Sequence, residues 1–197
     1  MSLEQISTQL KSHNKGLPPV ESWNPPYCGE IDIHIKANGD WFYNGTIFKR
    51  LPLVKLFASV LIKEVRYEIN SDVESELENE VEDYFLVTPV EKVKIKVDDA
   101  PFIITQWQWL NNESPKNNDR NMQVSTNLDD ELILDAQHPL IVTKEGDMYV
   151  TVRRNLQAKV HRNVYYQWVD EAEEVVRENG TELILSSAGC KFSLGSF

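Results

Sequence analysis

Between residues 149 and 162 an otherwise acidic chain gathers Tyr149, Arg153, Arg154, Lys159 and Arg162. If 148–153 is a strand, Met148, Val150 and Val152 take one face and Tyr149, Thr151 and Arg153 the other. Arginine forks beside an aromatic wall suit a phosphate or a carboxylate, held by charge-assisted hydrogen bonds. The expected anchors of such a ligand site are Tyr149, Arg153 and Arg162, helped by Lys92. A plainer account is that these charges pair with nearby acids or flank a helix start. Residues alone leave both accounts open.

Other chemistries find less support. His13, His34, His138 and His161 are scattered, and no pair has zinc-finger or metalloprotease spacing, so no metal site is expected. Cys28 has neither cysteine nor histidine beside it and reads as a buried thiol. Cys28 and Cys190 together are expected to be free thiols rather than a disulfide framework. There is no nucleophile elbow, no phosphate-binding glycine loop and no dinucleotide fingerprint. No catalytic residue and no cofactor are therefore named. A non-enzymatic role is expected, and an unrecognised hydrolase or transferase would need a nucleophile within reach of a base.

The 197 residues carry a net charge of −11, with 41% hydrophobic and 26% charged residues, the composition of an ordinary globular protein. That charge repels phosphate backbones, which counts against nucleic-acid or anionic-membrane partners. The opening MSLEQISTQLKSHNKG has no apolar run of signal-peptide length, and no stretch approaches the roughly 20 apolar residues that span a bilayer. A cytoplasmic location is expected.

The elements that must position these residues follow from periodicity. Leu3, Ile6 and Leu10 predict a short N-terminal helix, and Pro18, Pro19, Pro25 and Pro26 an extended arm. Ile31, Ile33 and Ile35 alternate with polar residues, Asn38-Gly39 suits a tight turn, and WFYNGTI reads as the return strand. Pro52 opens a helix with the stripe Leu53, Phe57, Val60 and Leu61. Residues 64–83 are dominated by Glu and Asp and read as a solvated insertion, or as a docking tail for a basic partner. Pro89 implies an edge or a bend. Lys92, Lys94 and Lys96 alternate with Val93, Ile95 and Val97, an anion site or an edge-protecting face. Trp107 and Trp109 read as core or interface, and NNESPKNNDRN as a polar loop. Short strands are expected near 122–126, 131–135, 139–144 and 148–153. The last helix carries the stripe Val164, Tyr165, Trp168, Val169, Ala172, Val175 and Val176 and stops at Asn179-Gly180. The strands ELIL and KFSL close the chain.

The two hairpins invite comparison. Lys36, Gly39, Asp40 and Tyr43 line up with Lys144, Gly146, Asp147 and Tyr149, with one residue fewer in the second turn. Each hairpin runs into a helix. The expected fold is therefore α+β, two tandem hairpin-plus-helix units. The expected parts are an N-terminal helix and arm over 1–19, an N-terminal unit over 20–91 with its acidic insertion at about 66–82, and a C-terminal unit over 92–197.

PPYCGEIDIHI, NGDWFYNGT, FLVTPVEKVKI with DDAPF, DAQHPL and YVTVRRNLQAKVHRNVYYQWVD together resemble the bacterial family known as domain of unknown function 1285. The resemblance runs from about Trp23 to the closing FSLG. It implies a two-part α+β protein built by structural duplication. It also implies a C-terminal part broadly like a pleckstrin-homology fold, a bent antiparallel sheet closed by the Val164 helix. A binding or signalling role is implied, with the cleft between the two parts as its site. No catalytic residue is carried over. Thr88, Glu91 and Lys92 would lie near that junction, as ligand contacts or as a structural hinge. The functional expectation is a regulatory module that recognises a small anionic ligand or a protein segment in the groove between its halves. The alternative is a protein-interaction scaffold that uses exposed aromatics and the acidic insertion. Oligomeric state is not legible.

Overall fold

Strand pairing dominates what this sequence builds. A computed structural model of the chain describes residues 16–69, 78–110, 120–177 and 180–196. The predicted helix at Leu3–Leu10 and the loop over 111–119 lie outside the described residues. The chain divides into two units, 1–98 and 99–197.

In unit 1, β1 (Tyr27–Ile35), β2 (Trp41–Tyr43) and β3 (Thr46–Ile47) form one antiparallel run. Helix α1 (Leu51–Ser59) follows, and then β4 (Leu61–Ile69), β5 (Glu78–Val87) and β6 (Lys92–Val97) form a second run. A parallel pairing of β1 with β6 joins the two, giving the order β3-β2-β1-β6-β5-β4. Helix α1 starts with Pro52 in its first turn, where the missing N–H costs nothing, and buries Val54, Phe57 and Ala58. The Phe57 ring meets Phe48 edge-on at 5.9 Å. Ile33, Ile35, Leu61, Leu86 and Val93 are buried with the helix residues as the core of this unit.

In unit 2, β7 (Phe102–Leu110), β8 (Asn121–Thr126) and β9 (Glu131–Ile133) make one antiparallel run. Strands β10 (Leu140–Val142), β11 (Met148–Arg153) and β12 (Leu156–Val160) make the other. Strands β7 and β12 pair in parallel, so the order is β10-β11-β12-β7-β8-β9. Helix α2 (Arg162–Glu171) comes next, with the His161 side chain capping its start by accepting from the Asn163 N–H at 3.2 Å. It buries Val164 and Trp168. Strands β13 (Glu173–Arg177), β14 (Gly180–Ser187) and β15 (Cys190–Ser196) form a separate antiparallel sheet.

The α+β plan of two hairpin-plus-helix units is therefore wrong. The described residues are mostly β, and the two α-helices among them occupy different places: α1 separates the two runs of its sheet, whereas α2 follows the completed sheet of unit 2. The second unit is likewise not a bent antiparallel sheet closed by a terminal helix. Its six-stranded sheet has a parallel pair at the centre, and three more strands follow α2. The element common to both units is a six-stranded sheet of one strand order. In sheet position, β1-β2-β3 answers to β7-β8-β9 and β4-β5-β6 to β10-β11-β12.

Three local causes account for the error. Residues 64–69 and 78–83 are solvated, with Glu64, Val65, Arg66, Tyr67, Glu80 and Glu82 exposed, but they are strand, the outer half of the β4–β5 ladder, which pairs from Leu61↔Leu86 to Ile69↔Glu78. Helix α2 ends at Glu171, and Val175 and Val176 enter β13 instead, consistent with the strand preference of β-branched side chains. Finally, WFYNGTI is not one strand. Asn44 and Gly45 take φ of 47° and 71° and fold it into the β2–β3 hairpin, the turn for which Asn-Gly is suited.

The matched turns also prove to be of equal length. The Lys36 N–H donates to Asp40 O and Gly39 N–H to Lys36 O; the Thr143 N–H donates to Asp147 O and Gly146 N–H to Thr143 O. Thr143, not Lys144, is the counterpart of Lys36. The same pair of bonds recurs from Thr126 to Asp130, joining β8 to β9, with Asp129 at φ 62° in place of glycine. A turn used three times, once between second and third strands, is a local motif rather than the mark of a repeated unit.

Candidate functional site

The predicted anchors fall into separate surroundings. Tyr149, Thr151 and Arg153 share the half-exposed face of β11, as alternation requires, with Met148, Val150 and Val152 buried behind them. The Tyr149 hydroxyl donates to Asp99 Oδ1 at 2.8 Å. Lys159, opposite Tyr149 on β12, donates to Asp99 Oδ2 at 2.8 Å and pairs with Asp147 at 3.0 Å. Burial and then the Asp99 carboxylate push the Tyr149 hydroxyl up to about 12. The hydrogen bond to Asp99 raises Lys159 as well. Arg153 reaches Asp130 at 2.6 Å, and its guanidinium lies 4.6 Å from the centre of the Phe102 ring. Arg162 begins α2, is exposed, and donates to the Tyr166 hydroxyl at 2.8 Å. Lys92 belongs to unit 1, where it pairs with Glu64 at 2.6 Å above the Phe85 ring. Three of the four thus end on a carboxylate.

The lysine row of β6 is not at an edge, because β6 sits between β1 and β5. Lys94 pairs with Asp83 at 2.6 Å, and Arg66 reaches the other oxygen of that carboxylate at 2.7 Å. The Lys94 bond holds Asp83 below the usual carboxylate range, and Asp83 in turn raises Lys94.

Beyond this network the sheet of unit 1 forks. Strand β5 pairs with β6 only over Tyr84–Val87, although its ladder with β4 continues to Glu78. On the other side of β6, β1 slips register twice. Tyr27 to Glu30 and then Glu30 to His34 run against Lys92 to Lys94 and Lys94 to Lys96. A groove of about 540 Å³ lies where the three strands part. Ile31, Ile33, Tyr84, Ile95 and Val97 supply its apolar lining, and Glu30, Asp32, Glu82, Asp83, Lys94 and Lys96 its charge. Glu82 is held by Lys63 at 2.8 Å. Glu30 and Asp32 are exposed and make no salt bridge among the described residues. Of the groove residues, sequence periodicity singles out the lysines, Ile31, Ile33, Ile95 and Val97. The run of acids in 64–83 was the remaining signal, misread because its strand alternation is hidden by charge.

Other features are accounted for locally. Trp107 and Trp109 meet edge-on at 5.8 Å, and their indole N–H groups donate to Gln167 and Glu171 of α2 at 2.7 and 2.9 Å. They pin the helix to β7. Cys28 is exposed rather than buried, and both cysteines are free. His34 pairs with Asp98 at 2.5 Å, and Lys36 lies 3.7 Å from the same carboxylate. Asp98 is therefore bound within unit 1, while the next residue, Asp99, is bound within unit 2. Among the described residues no cluster of His, Cys, Asp and Glu could hold a metal ion, and no helix is long and apolar enough to cross a membrane.

Comparison with known proteins agrees with the motifs. The profile described as domain of unknown function (DUF1285), N-terminal domain, matches residues 18–75, and that of protein of unknown function (DUF1285), C-terminal domain, matches 101–194. No curated protein matches. The crystal structure of a DUF1285 family protein from Silicibacter pomeroyi DSS-3 is similar over 99% of this chain and 95% of its own, at 31% identity and a TM-score of 0.75. Another DUF1285 family protein, from Shewanella baltica OS155, is 30% identical, covers 72% of this chain and 92% of its own, and has a TM-score of 0.49. On the strength of the near full-length match at 31% identity and of both domain profiles, the chain belongs to the DUF1285 family.

Proposed function

We propose that this protein is a non-catalytic binding module, suited to a regulatory or signalling role, that takes an extended segment of a partner protein in the groove of unit 1. The observation that carries this reading is the fork itself, where β5 leaves β6 while β1 bulges away from it. Three strands part there around about 540 Å³ with an apolar lining and a charged rim, within the size range of ligand sites. The reading as an anion receptor draws less support, since Lys92, Arg153 and Tyr149 already spend their hydrogen bonds on Glu64, Asp130 and Asp99. A second charged ligand would have to displace those partners.

The test begins with peptides selected by display against the whole protein. Their affinities are then measured by fluorescence anisotropy for the unmodified chain and for Ile31→Arg, which fills the groove. The expected result is a loss of about tenfold or more, with the circular dichroism spectrum unchanged. Equal affinity for both proteins overturns the proposal. Phosphorylated metabolites that raise the melting temperature while no peptide does so would favour the anion reading instead.

A further inference from the structure

From the direction of the free backbone groups in the groove we infer that the segment binds as an added strand on β5, and that it alternates basic with apolar residues. This rests on the groove reading above and specifies how the groove is filled.

The direction of the β5 backbone follows from one bond. The Val87 N–H donates to Val60 O at 3.0 Å, on the β4 side of the strand. Backbone groups alternate between the two edges of a strand. Val87, Phe85, Asp83 and Val81 therefore address β4, while Leu86, Tyr84, Glu82 and Glu80 address the opposite side. Thr88 obeys the same alternation, its N–H donating to Glu91 O across the turn into β6. Leu86 and Tyr84 find β6 on that side, opposite Val93 and Ile95. Among the described residues Glu82 and Glu80 have no strand opposite them, because the pairing with β6 stops at Tyr84. Their amides and carbonyls are a ready edge for a chain in extended conformation.

The composition of the visitor follows from what β5 already accepts. Its paired half takes Lys-Val-Lys-Ile of β6, and Lys94 satisfies Asp83 across the ladder. Beyond the paired half, the face that carries Lys94 is acidic, with Asp83 in the strand and Glu30 and Asp32 across the groove, while Glu80 and Glu82 alternate onto the Tyr84 face. A strand with the same alternation would send apolar side chains toward Tyr84 and Val97 and basic ones toward Glu30 and Asp32.

The probe is the acetylated, amidated hexapeptide Lys-Val-Lys-Ile-Lys-Val, offered to the full chain. Two N-methylated versions block its alternate amides, at the three lysines or at the three apolar positions. Binding is expected to slow hydrogen exchange at the Glu80 and Glu82 amides, and one N-methylated set is expected to lose at least about tenfold in affinity. The peptide Glu-Val-Glu-Ile-Glu-Val is expected not to bind. If the basic peptide binds and is lost with Ile31→Arg, yet both N-methylated sets are tolerated, strand addition is overturned and the groove reading survives. Binding that ignores Ile31→Arg removes the groove reading as well. Equal binding of the acidic peptide, or none of the basic one at about millimolar concentration, overturns the basic alternating partner.

Discussion

In unit 2, β11 and β12 pair from Tyr149↔Lys159 to Arg153↔Leu156, and neither strand outruns the other. In unit 1 the strands in the same sheet positions, β5 and β6, pair over four residues, and β5 then runs on with β4 as its sole neighbour among the described residues. Strand order is shared, yet one sheet closes this seam and the other leaves it open. Charge follows suit. The closed seam is finished by Tyr149, Lys159, Asp99 and Asp147 bonded to one another, while Glu30 and Asp32 beside the open one make no salt bridge among the described residues. What distinguishes the closed seam from the open one here is strand length, not topology.

That contrast can be tested from its strongest consequence downward. Trp168→Ala in unit 2 and Phe57→Ala in unit 1 remove fully buried rings, and each is expected to cost about 3–5 kcal/mol in urea unfolding. A loss below about 1 kcal/mol at either position would refute its place in a core. The charge pairs come next. Arg153 is 11% exposed against Asp130, so Asp130→Ala takes a carboxylate from a mostly buried cation and is expected to cost about 3 kcal/mol. Glu64 is 51% exposed, so Glu64→Ala is expected to cost no more than about 1 kcal/mol. Reversal of that ranking would break the comparison.

Opposite pH limits should also mark the two seams. The Tyr149 hydroxyl rises from 10.0 to about 12 in the fold, so its contribution is whole below about pH 10 and is lost as pH climbs through 12. Tyr149→Phe is expected to flatten that alkaline limb in unfolding midpoints taken from pH 9 to 12. Asp83 is lowered from 3.8, so its contribution is present above that value and fades as pH falls through the lowered one. Asp83→Asn is expected to flatten the acid limb instead. The smallest effect concerns Lys96, which lines the groove without a salt bridge among the described residues. Lys96→Ala should change stability by no more than about 0.5 kcal/mol, and a larger loss would mean that the open rim is already braced.

Much of this was readable one element at a time. The alternation of 148–153, the turn at Asn38-Gly39 and the short strands of unit 2 depend on neighbours close in sequence, and they formed as expected; the helix at Pro52 formed too, but Val60 and Leu61 of its expected stripe lie beyond its end, Leu61 in β4. The errors share a cause, which is that pairing with distant residues overrode a local pattern. Val175 and Val176 continue the helical stripe of α2 but are claimed by Glu182 and Thr181 of β14. The acids of 64–83 look like an unpaired tail until Val65↔Glu82 and Tyr67↔Glu80 are laid side by side. Likewise, the likeness of the Gly-Asp turns was real, but a five-residue turn says nothing about which strands it joins. The groove was least legible of all, since it arises from two register slips in β1 and an early end to one ladder, and no single residue type marks either.

The adjacent carboxylates of Asp98 and Asp99 set a limit on how this chain can be taken apart. One is claimed by His34 and Lys36, the other by Tyr149 and Lys159, so a single peptide bond separates two anchorages. There is no slack residue at the seam to spend on a tag, a protease site or an inserted loop. A fragment that begins at Ala100 would leave Lys159 and the Tyr149 hydroxyl without their shared acceptor, and one that stops at Val97 would do the same to His34. Whoever separates the two sheets has one place to cut.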